Sequence, residues 1–214
     1  MKLTTTKISK MKKYLSVAIV FISLCIFSQT KRTILKPKLE IATFANGCFW
    51  CTEAIFQRLE GVEKVTSGYI GGSLKNPTYK EITTGKTGHA EALQIKFNPD
   101  IISYQELLDV FFSTHNPTTL NRQGNDVGSQ YRSAIFYFSE NQKLTAEKFI
   151  EDLTKANVFD NPIVTEVTLQ TIFYKAEDYH QNYYNNNKFQ GYCKVVINPK
   201  LEKFIKKYRH KLKK

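Results

Sequence analysis

The sequence has few cysteines, one tryptophan and no long apolar run. Four cysteines occur in 214 residues, and only Cys48 and Cys51 have the C-x-x-C spacing. The four histidines are dispersed along the chain at His89, His115, His180 and His210. A zinc site built from two cysteine pairs needs a second pair, so we expect no metal. The uncharged stretch 14–27 is shorter than the ~20 residues of a spanning helix.

Linker-like and repetitive segments are also missing. The ten glycines and six prolines are scattered, and no repeat of fixed period suggests a solenoid. Fifteen phenylalanines and twelve tyrosines argue against a disordered chain. A hydrophobic content of 42% is enough for one sizeable core. We therefore expect one domain with short tails.

The N-terminal residues differ in composition from the rest of the chain. Five lysines precede the apolar stretch 14–27, and a polar segment follows it. This pattern predicts a secretory signal peptide over residues 1–28, a linker over 29–40 and a catalytic domain over 41–214. We expect export to the periplasm or cell envelope, with an uncleaved membrane anchor as the alternative. Three cysteines then remain, and an odd number in an exported chain suggests a reactive thiol.

Strands and helices alternate along the remaining sequence. Apolar periodicity predicts strands at 41–45, 65–70, 89–97, 131–138 and 163–173, and helices at 48–59, after Ser103, after Ser139, at 176–184 and at 199–214. Ser103 and Glu106 form a capping box. An asparagine-rich flexible segment, 185–193, should lead into a short strand. Two long polar loops, 76–88 and 114–130, should carry functional residues. The pattern predicts one α+β domain with helices packed on a mixed or antiparallel sheet.

The last predicted helix is strongly basic on one side. Its apolar residues recur at helical spacing, and lysines occupy the other face. We interpret it as a docked terminal helix with a solvated basic face, and we expect no nucleic-acid partner.

Cys48 lies where a turn signal meets the start of a helix. Free N–H groups and the helix dipole stabilise an anion there, so we expect a lowered pKa for this thiol. Phe49 and Trp50 would form an apolar wall beside it. Cys51 could form a disulfide with Cys48, as in a thiol–disulfide oxidoreductase, or it could be a buried and inert cysteine.

Six short motifs occur in order along the chain: GCFW at 47–50, GYIGG at 68–72, NPTY at 76–79, TGHAE at 87–91, RQGND at 122–126 and QYRS at 130–133. Together they resemble the peptide methionine sulfoxide reductase A family, from about residue 43 to 203. The resemblance implies a two-layer α/β sandwich with a ferredoxin-like mixed sheet. It also implies reduction of the S epimer of methionine sulfoxide, in proteins or as the free amino acid.

The resemblance implies a role for each matching residue. It makes Cys48 the nucleophile and Glu91 the acid that protonates the sulfoxide oxygen. The other implied site residues are Phe49 and Trp50 around the substrate methyl group, Tyr79 and Tyr131 at its oxygen, and Asp126 as an ordering residue. The product is a sulfenic acid on Cys48, which a second thiol converts to a disulfide. No cofactor is implied, only a thioredoxin-like reductant, and we expect a monomer.

The sequence departs from the family pattern at two positions. Position 51 is commonly glycine in the family, and His115-Asn116-Pro117 has asparagine where aspartate is frequent. Cys193, in a segment resembling the family's resolving region, is favoured as the second thiol by its motif. Cys51 remains a rival or a relay. Two other functions stay open from the residues alone: a C-x-x-C thiol–disulfide oxidoreductase, and a module that binds peptides or nucleic acid through the basic tail.

Overall fold

The computed structural model describes residues 38–214. The predicted signal peptide and most of the predicted linker lie outside these residues. No helix within 38–214 has the length and apolar character that crossing a membrane requires.

Eight strands and six α-helices make up the described part of the chain. The strands are β1 Glu40–Asn46, β2 Val62–Ile70, β3 Ala90–Phe97, β4 Arg122–Gln123, β5 Asp126–Val127, β6 Ser133–Tyr137, β7 Glu166–Leu169 and β8 Tyr174–Lys175. The helices are α1 Phe49–Phe56, α2 Tyr79–Ile82, α3 Tyr104–Thr114, α4 Glu140–Lys155, α5 Tyr183–Asn186 and α6 Asn198–Tyr208.

Six of the strands form one mixed sheet in the order β7-β6-β1-β3-β2-β8. Neighbouring strands are antiparallel except for β6 and β7, which are parallel. The four central strands with α1 and α3 follow the order β-α-β-β-α-β, which is the ferredoxin-like arrangement. The predicted fold class is therefore confirmed.

One face of the sheet is covered by helices. Phe44 on β1 packs with Phe56 of α1 and with Phe111 of α3, at ring-centroid distances of 5.8 and 5.0 Å. The opposite face carries a smaller buried cluster that includes Ala45 and Phe136. Successive strand residues point to opposite faces, so both faces of β1 are buried and the strand reads as an almost continuous apolar run.

The predicted helix starts agree with the structure. The Ser103 hydroxyl accepts a hydrogen bond from the Glu106 backbone N–H, and the Glu106 carboxylate accepts one from the Ser103 N–H. The Ser139 hydroxyl caps α4 by accepting from the Gln142 N–H. Each cap satisfies amides that a helix start leaves without a partner.

Three predicted elements before the C-terminal helix differ substantially from the structure in type or length. The segment 163–173 forms a strand only over Glu166–Leu169, because it pairs on one side with the five-residue strand β6. The predicted helix 176–184 is a 3-10 turn, Asp178–His180, followed by α5, because Asn182 takes a left-handed backbone conformation (φ 53°) between them. The short strand expected after the asparagine-rich segment is instead a π-helical turn, Cys193–Ile197, continuous with α6.

The C-terminal helix docks on the domain as expected. Leu201, Phe204 and Tyr208 are buried, and the Tyr208 hydroxyl donates to the Asp109 carboxylate of α3 at 2.7 Å. The helix ends at Tyr208, before the predicted end at 214, and a short strap follows. In this strap Leu212 forms an isolated antiparallel bridge with Leu59, just after α1.

Candidate active site

The predicted nucleophile lies at one edge of the sheet, where β1 ends. Gly47 follows β1 with a φ of +94°, a conformation that favours glycine. A Cβ at Gly47 would lie 2.6 Å from Cγ of Gln123, so the close approach of this loop also requires glycine. Cys48 is then the N-cap residue of α1 and is largely buried. Antiparallel pairing places the start of β3 and the start of β6 at the same edge.

Glu91 on β3 is hydrogen-bonded to the helix that Cys48 caps. Its Oε2 accepts from the backbone N–H of Phe49 at 3.1 Å, and the residue is 1% exposed. Burial, reinforced by the charge of Cys48, raises the pKa of Glu91 well above its ordinary value. Burial therefore favours the protonated carboxylic acid at this position. This environment excludes a solvent-facing charge at position 91.

The expected lowering of the Cys48 pKa is wrong for this site. Burial raises the pKa of the Cys48 thiol, and its hydrogen bond with Cys51 adds to the increase. The first amide of α1 donates to Glu91, and the hydrogen bond from the Trp50 N–H to Cys48 lowers the thiol pKa by less than burial raises it. The apolar surroundings therefore outweigh the helix start, and the neutral thiol is the favoured form of Cys48.

The position of Glu91 depends on the junction of β2 and β3. Glu91 pairs with Tyr69 of β2, next to the glycine run that ends this strand. The His89 ring accepts from the Gly72 N–H at 3.1 Å through Nδ1 and donates to the Leu74 carbonyl at 2.7 Å through Nε2. His89 thus fixes the chain turn that precedes the acid.

Two phenols lie close to the Cys48 and Glu91 side chains. Burial, followed by the charge of Glu91, raises the pKa of both Tyr79 and Tyr131, and Cys48 adds a smaller effect on each. Both therefore remain protonated hydrogen-bond donors. Tyr79 begins α2, where its backbone N–H donates to the Glu177 carboxylate at 2.8 Å. Tyr131 ends the 3-10 turn Ser129–Tyr131 and so lies just before β6, although the prediction placed it at the start of the strand.

Phe49 and Trp50 form an apolar wall, as expected. The Phe49 ring is buried and lies nearly parallel to the Tyr79 ring at 6.5 Å. The Trp50 ring stacks on Tyr183 of α5, with centroids 3.7 Å apart and an interplanar angle of 7°. The Trp50 indole N–H donates to Nδ1 of His180 at 3.1 Å. The indole is thus held through its face and through its N–H group.

The three described cysteines lie in one buried cluster. Cys48, Cys51 and Cys193 pack with Ala54 and Ile197, and all three are free thiols. Cys51 is within hydrogen-bonding reach of Cys48, and this hydrogen bond lowers the pKa of the Cys51 thiol. Cys193 has no exposed surface. Instead of a flexible segment, a π-helical turn holds it beside α1.

Tyr192 connects this cluster to the 114–130 loop. Its hydroxyl lies 4.0 Å from the Cys51 sulfur and donates to the Asp126 carboxylate at 3.1 Å. Asp126 is therefore connected to the cysteine cluster through the Tyr192 hydroxyl. All of the predicted site residues come together at this edge of the sheet.

Several residues of the site were not identified from the sequence. They are Glu53, Tyr69, Glu177, His180, Tyr183 and Tyr192. Glu53 is 2% exposed, and its carboxylate accepts from the N–H groups of Asn182 and Tyr183 at 2.8 and 3.2 Å. The available signal was a single charged residue in the otherwise uncharged helix α1. No comparable signal marks His180.

The arrangement places a buried thiol, a buried neutral acid and two phenols around one point. It can add sulfur to an electrophilic centre while protonating an oxygen of the same substrate. After Cys48 is oxidised, either of the two further thiols can form a disulfide with its sulfur. Across residues 38–214, no group of three or more histidine, cysteine or acidic side chains is placed to hold a metal ion.

The sequence model of the family described as peptide methionine sulfoxide reductase matches residues 40–213. The chain belongs to that family. It is 56% identical over 174 residues to the peptide methionine sulfoxide reductase MsrA of Deinococcus radiodurans, covering 81% of this chain and 84% of the relative. Identity to the MsrA of Ralstonia nicotianae is 52%, covering 83% and 95% of the two chains.

Solved structures agree with this assignment. The reduced form of Mxr1 from Saccharomyces cerevisiae superposes with a TM-score of 0.67 at 34% identity, covering 76% of this chain and 94% of Mxr1. Methionine sulfoxide reductase A of Corynebacterium diphtheriae gives 0.65 at 34% identity, covering 72% and 78%. As a member of the family, the protein is an oxidoreductase that reduces peptide methionine sulfoxide. The predicted family and activity are confirmed.

Proposed function

We propose that Cys48 attacks the sulfoxide sulfur while Glu91 protonates the sulfoxide oxygen. The main support for this proposal is the hydrogen bond from the Phe49 N–H to the Glu91 carboxyl. Because Phe49 directly follows Cys48, this bond holds the acid close to the nucleophile. Both groups are protonated before substrate arrives. Cys48 must therefore lose its proton as the sulfur–sulfur bond begins to form. At this stage the polarised sulfoxide sulfur draws electrons from the Cys48 sulfur.

The atoms balance without a cofactor. Glu91 gives its proton to the sulfoxide oxygen and takes up the proton that Cys48 loses, while the Cys48 sulfur bonds to the sulfoxide sulfur. The hydroxyl group then passes to the Cys48 sulfur as the sulfur–oxygen and sulfur–sulfur bonds break, and methionine leaves. Cys48 is then a sulfenic acid, oxidised by two electrons, and the substrate sulfur is reduced by two. Tyr79 and Tyr131 donate hydrogen bonds to the oxygen as its negative charge grows.

We assign the apolar wall to the methyl group of the substrate. Phe49 and Trp50 present ring surfaces beside the cysteine, which suits a small apolar group next to a polar sulfoxide. Because the acid and the phenols contact the oxygen, the wall and the oxygen site together fix the handedness at sulfur. We therefore propose specificity for the S epimer, in oxidised proteins and in free methionine sulfoxide.

The contacts of the three thiols favour a relay. Cys51 is within hydrogen-bonding reach of Cys48 and has a lowered pKa, whereas burial raises the pKa of Cys193. We propose that Cys51 attacks the sulfenic acid first, releasing water and forming a Cys48–Cys51 disulfide. Cys193 then receives the disulfide by thiol exchange. A thioredoxin-like dithiol completes the cycle, and a monomer is sufficient for all of these steps.

Export remains a proposal based on the N-terminal sequence. Residues 1–28 combine lysines, an apolar stretch and a polar break, so we propose cleavage near residue 29 and a location in the periplasm or cell envelope. N-terminal sequencing of the protein from cell fractions tests this. An intact N-terminus in the membrane fraction would instead indicate an uncleaved anchor.

Dithiothreitol-supported turnover of separated S and R methionine sulfoxide peptides tests the catalytic proposal. Wild type should reduce the S epimer, and Cys48→Ser should be inactive. Glu91→Ala should lose most of its activity. Full activity without Cys48 contradicts the mechanism. Activity in an insulin-disulfide assay that requires Cys51 but not Glu91 would instead support a C-x-x-C thiol–disulfide oxidoreductase.

A further inference from the structure

His180 is buried beneath the apolar wall, although nothing in the catalytic steps uses it. The residue is 1% exposed, and its ring contacts three aromatic side chains of the site. The centroid distances are 4.4 Å to Tyr79, 5.0 Å to Phe49 and 5.6 Å to Trp50. A polar ring in such surroundings needs a reason for its burial, because an apolar ring would cost less free energy to bury.

The hydrogen bond between His180 and Trp50 determines which ring nitrogen of the neutral histidine carries the proton. The Trp50 indole can only donate, so Nδ1 must be the acceptor and the proton of the neutral ring lies on Nε2. That Nε2 atom is buried and has no hydrogen-bond partner among the described residues. Its nearest acidic atom, Oε2 of Glu177, is 3.8 Å away. One bond, to Trp50, therefore accounts for the placement of this ring.

We propose that His180 is a positioning residue that fixes the in-plane orientation of the Trp50 ring through the indole N–H to Nδ1 hydrogen bond. Tyr183 stacks on the indole face but leaves the ring free to rotate within its own plane. The bond to Nδ1 removes that freedom, and it fixes where the ring edge meets the substrate. This inference rests on the proposed role of Trp50 in holding the methyl group.

The charge of His180 must be zero for this bond to form. The titratable groups that face the ring are Glu177, Tyr79 and Tyr179, the last with its centroid 4.2 Å away. Burial lowers the pKa of His180, and the charge of Glu177 opposes this only partly. The neutral ring is therefore the form present at neutral pH, as an acceptor for Trp50 requires.

Nuclear magnetic resonance of the wild-type protein tests the bond directly. Trp50 is the one tryptophan of the chain, so 15N-labelled tryptophan gives a single indole resonance. With histidine also labelled, we expect a through-bond 15N–15N coupling between Trp50 Nε1 and His180 Nδ1. An indole N–H without this coupling, exchanging rapidly with water, would overturn the proposal. Neither result depends on turnover, so the test stands apart from the catalytic mechanism.

Two variants separate positioning from packing. His180→Asn places an oxygen close to the position of Nδ1, whereas His180→Leu has similar bulk and no acceptor. For His180→Leu we expect altered Trp50 fluorescence, greater acrylamide quenching and an about tenfold lower kcat/KM, mainly through KM. His180→Asn should stay within about twofold of wild type. Equal losses in both folded variants, or an unchanged His180→Leu, would overturn the proposal.

Discussion

The Oε2 atom of Glu91 accepts a 3.1 Å hydrogen bond from the backbone N–H of Phe49. This contact joins the buried acid on β3 to the start of the helix that Cys48 caps. Burial at this junction raises the pKa of both the Glu91 carboxyl and the Cys48 thiol.

Glu91→Gln should abolish proton donation while keeping the bond to Phe49, because the amide oxygen is still an acceptor. We expect kcat/KM to fall about a hundredfold or more with little change in thermal stability. The raised pKa of Glu91 means that wild-type activity is full below this pKa and is lost as the pH rises through it. That alkaline limb should be missing in the variant.

Steady-state kinetics across pH, with a methionine sulfoxide peptide and dithiothreitol, provide the measurement. Glu147→Gln is the matched control, since Glu147 is an exposed acid on α4, a helix that carries none of the site residues. An alkaline limb that persists unchanged in Glu91→Gln would assign it to another group.

The relay predicts different products for the two cysteine variants after one turnover without reductant. Cys193→Ser should still form a disulfide, because Cys51 lies within reach of Cys48. Cys51→Ser should accumulate the Cys48 sulfenic acid for longer. Intact mass, with dimedone trapping of the sulfenic acid, distinguishes them. The reverse pattern would make Cys193 the first resolving thiol.

Glu53→Ala should destabilise the segment that carries His180 and Tyr183. The substitution leaves the N–H groups of Asn182 and Tyr183 without their acceptor, which should lower the free energy of unfolding by about 2–3 kcal/mol. Acrylamide quenching of Trp50 should increase because its stacking partner moves. Glu63→Ala, at an exposed position, serves as the control in denaturant unfolding. An equal loss of unfolding free energy in both variants would show that the hydrogen bonds of Glu53 do not stabilise this segment.

Glu106 should contribute a pH-dependent part of the stability. Its ion pair with Lys211, together with the hydrogen bonds from Ser103, lowers the pKa of Glu106 from 4.5 to about 2. The lowered pKa stabilises the fold above pH 4.5, and the contribution is lost as the pH falls towards 2. Because the pair is partly exposed and screened, Glu106→Gln should cost about 1 kcal/mol at neutral pH.

Glutamine keeps the capping function at this helix position, so the substitution isolates the charge. Unfolding free energies of wild type and Glu106→Gln should converge in acid. Glu202→Gln, on the exposed side of α6, is the comparison that should show no such convergence. A constant difference between wild type and Glu106→Gln at every pH would contradict the ion-pair explanation.

Local sequence predicted the central strands, the capped helices α3 and α4, and the family. Strands β1, β2 and β3 have alternating or continuous apolar residues over a short stretch of chain. This local periodicity is enough to identify them from the sequence. The segment from 176 to 197 did not follow local pattern. Asn182 in a left-handed conformation and the contacts of Glu53 decide its path, and those contacts join residues about 130 positions apart.

The residues proposed for the site follow from the sequence and its family motifs: a cysteine at a helix start, an acid on a strand, two aromatic residues beside the cysteine, two tyrosines and two further thiols. Their protonation and their supports depend on how the chain packs. Burial raises the pKa of Cys48 and of Glu91, which reverses the effect expected from the helix start for the thiol. Burial and the bond between Trp50 and His180 arise from segments far apart in the chain, so no local pattern encodes them.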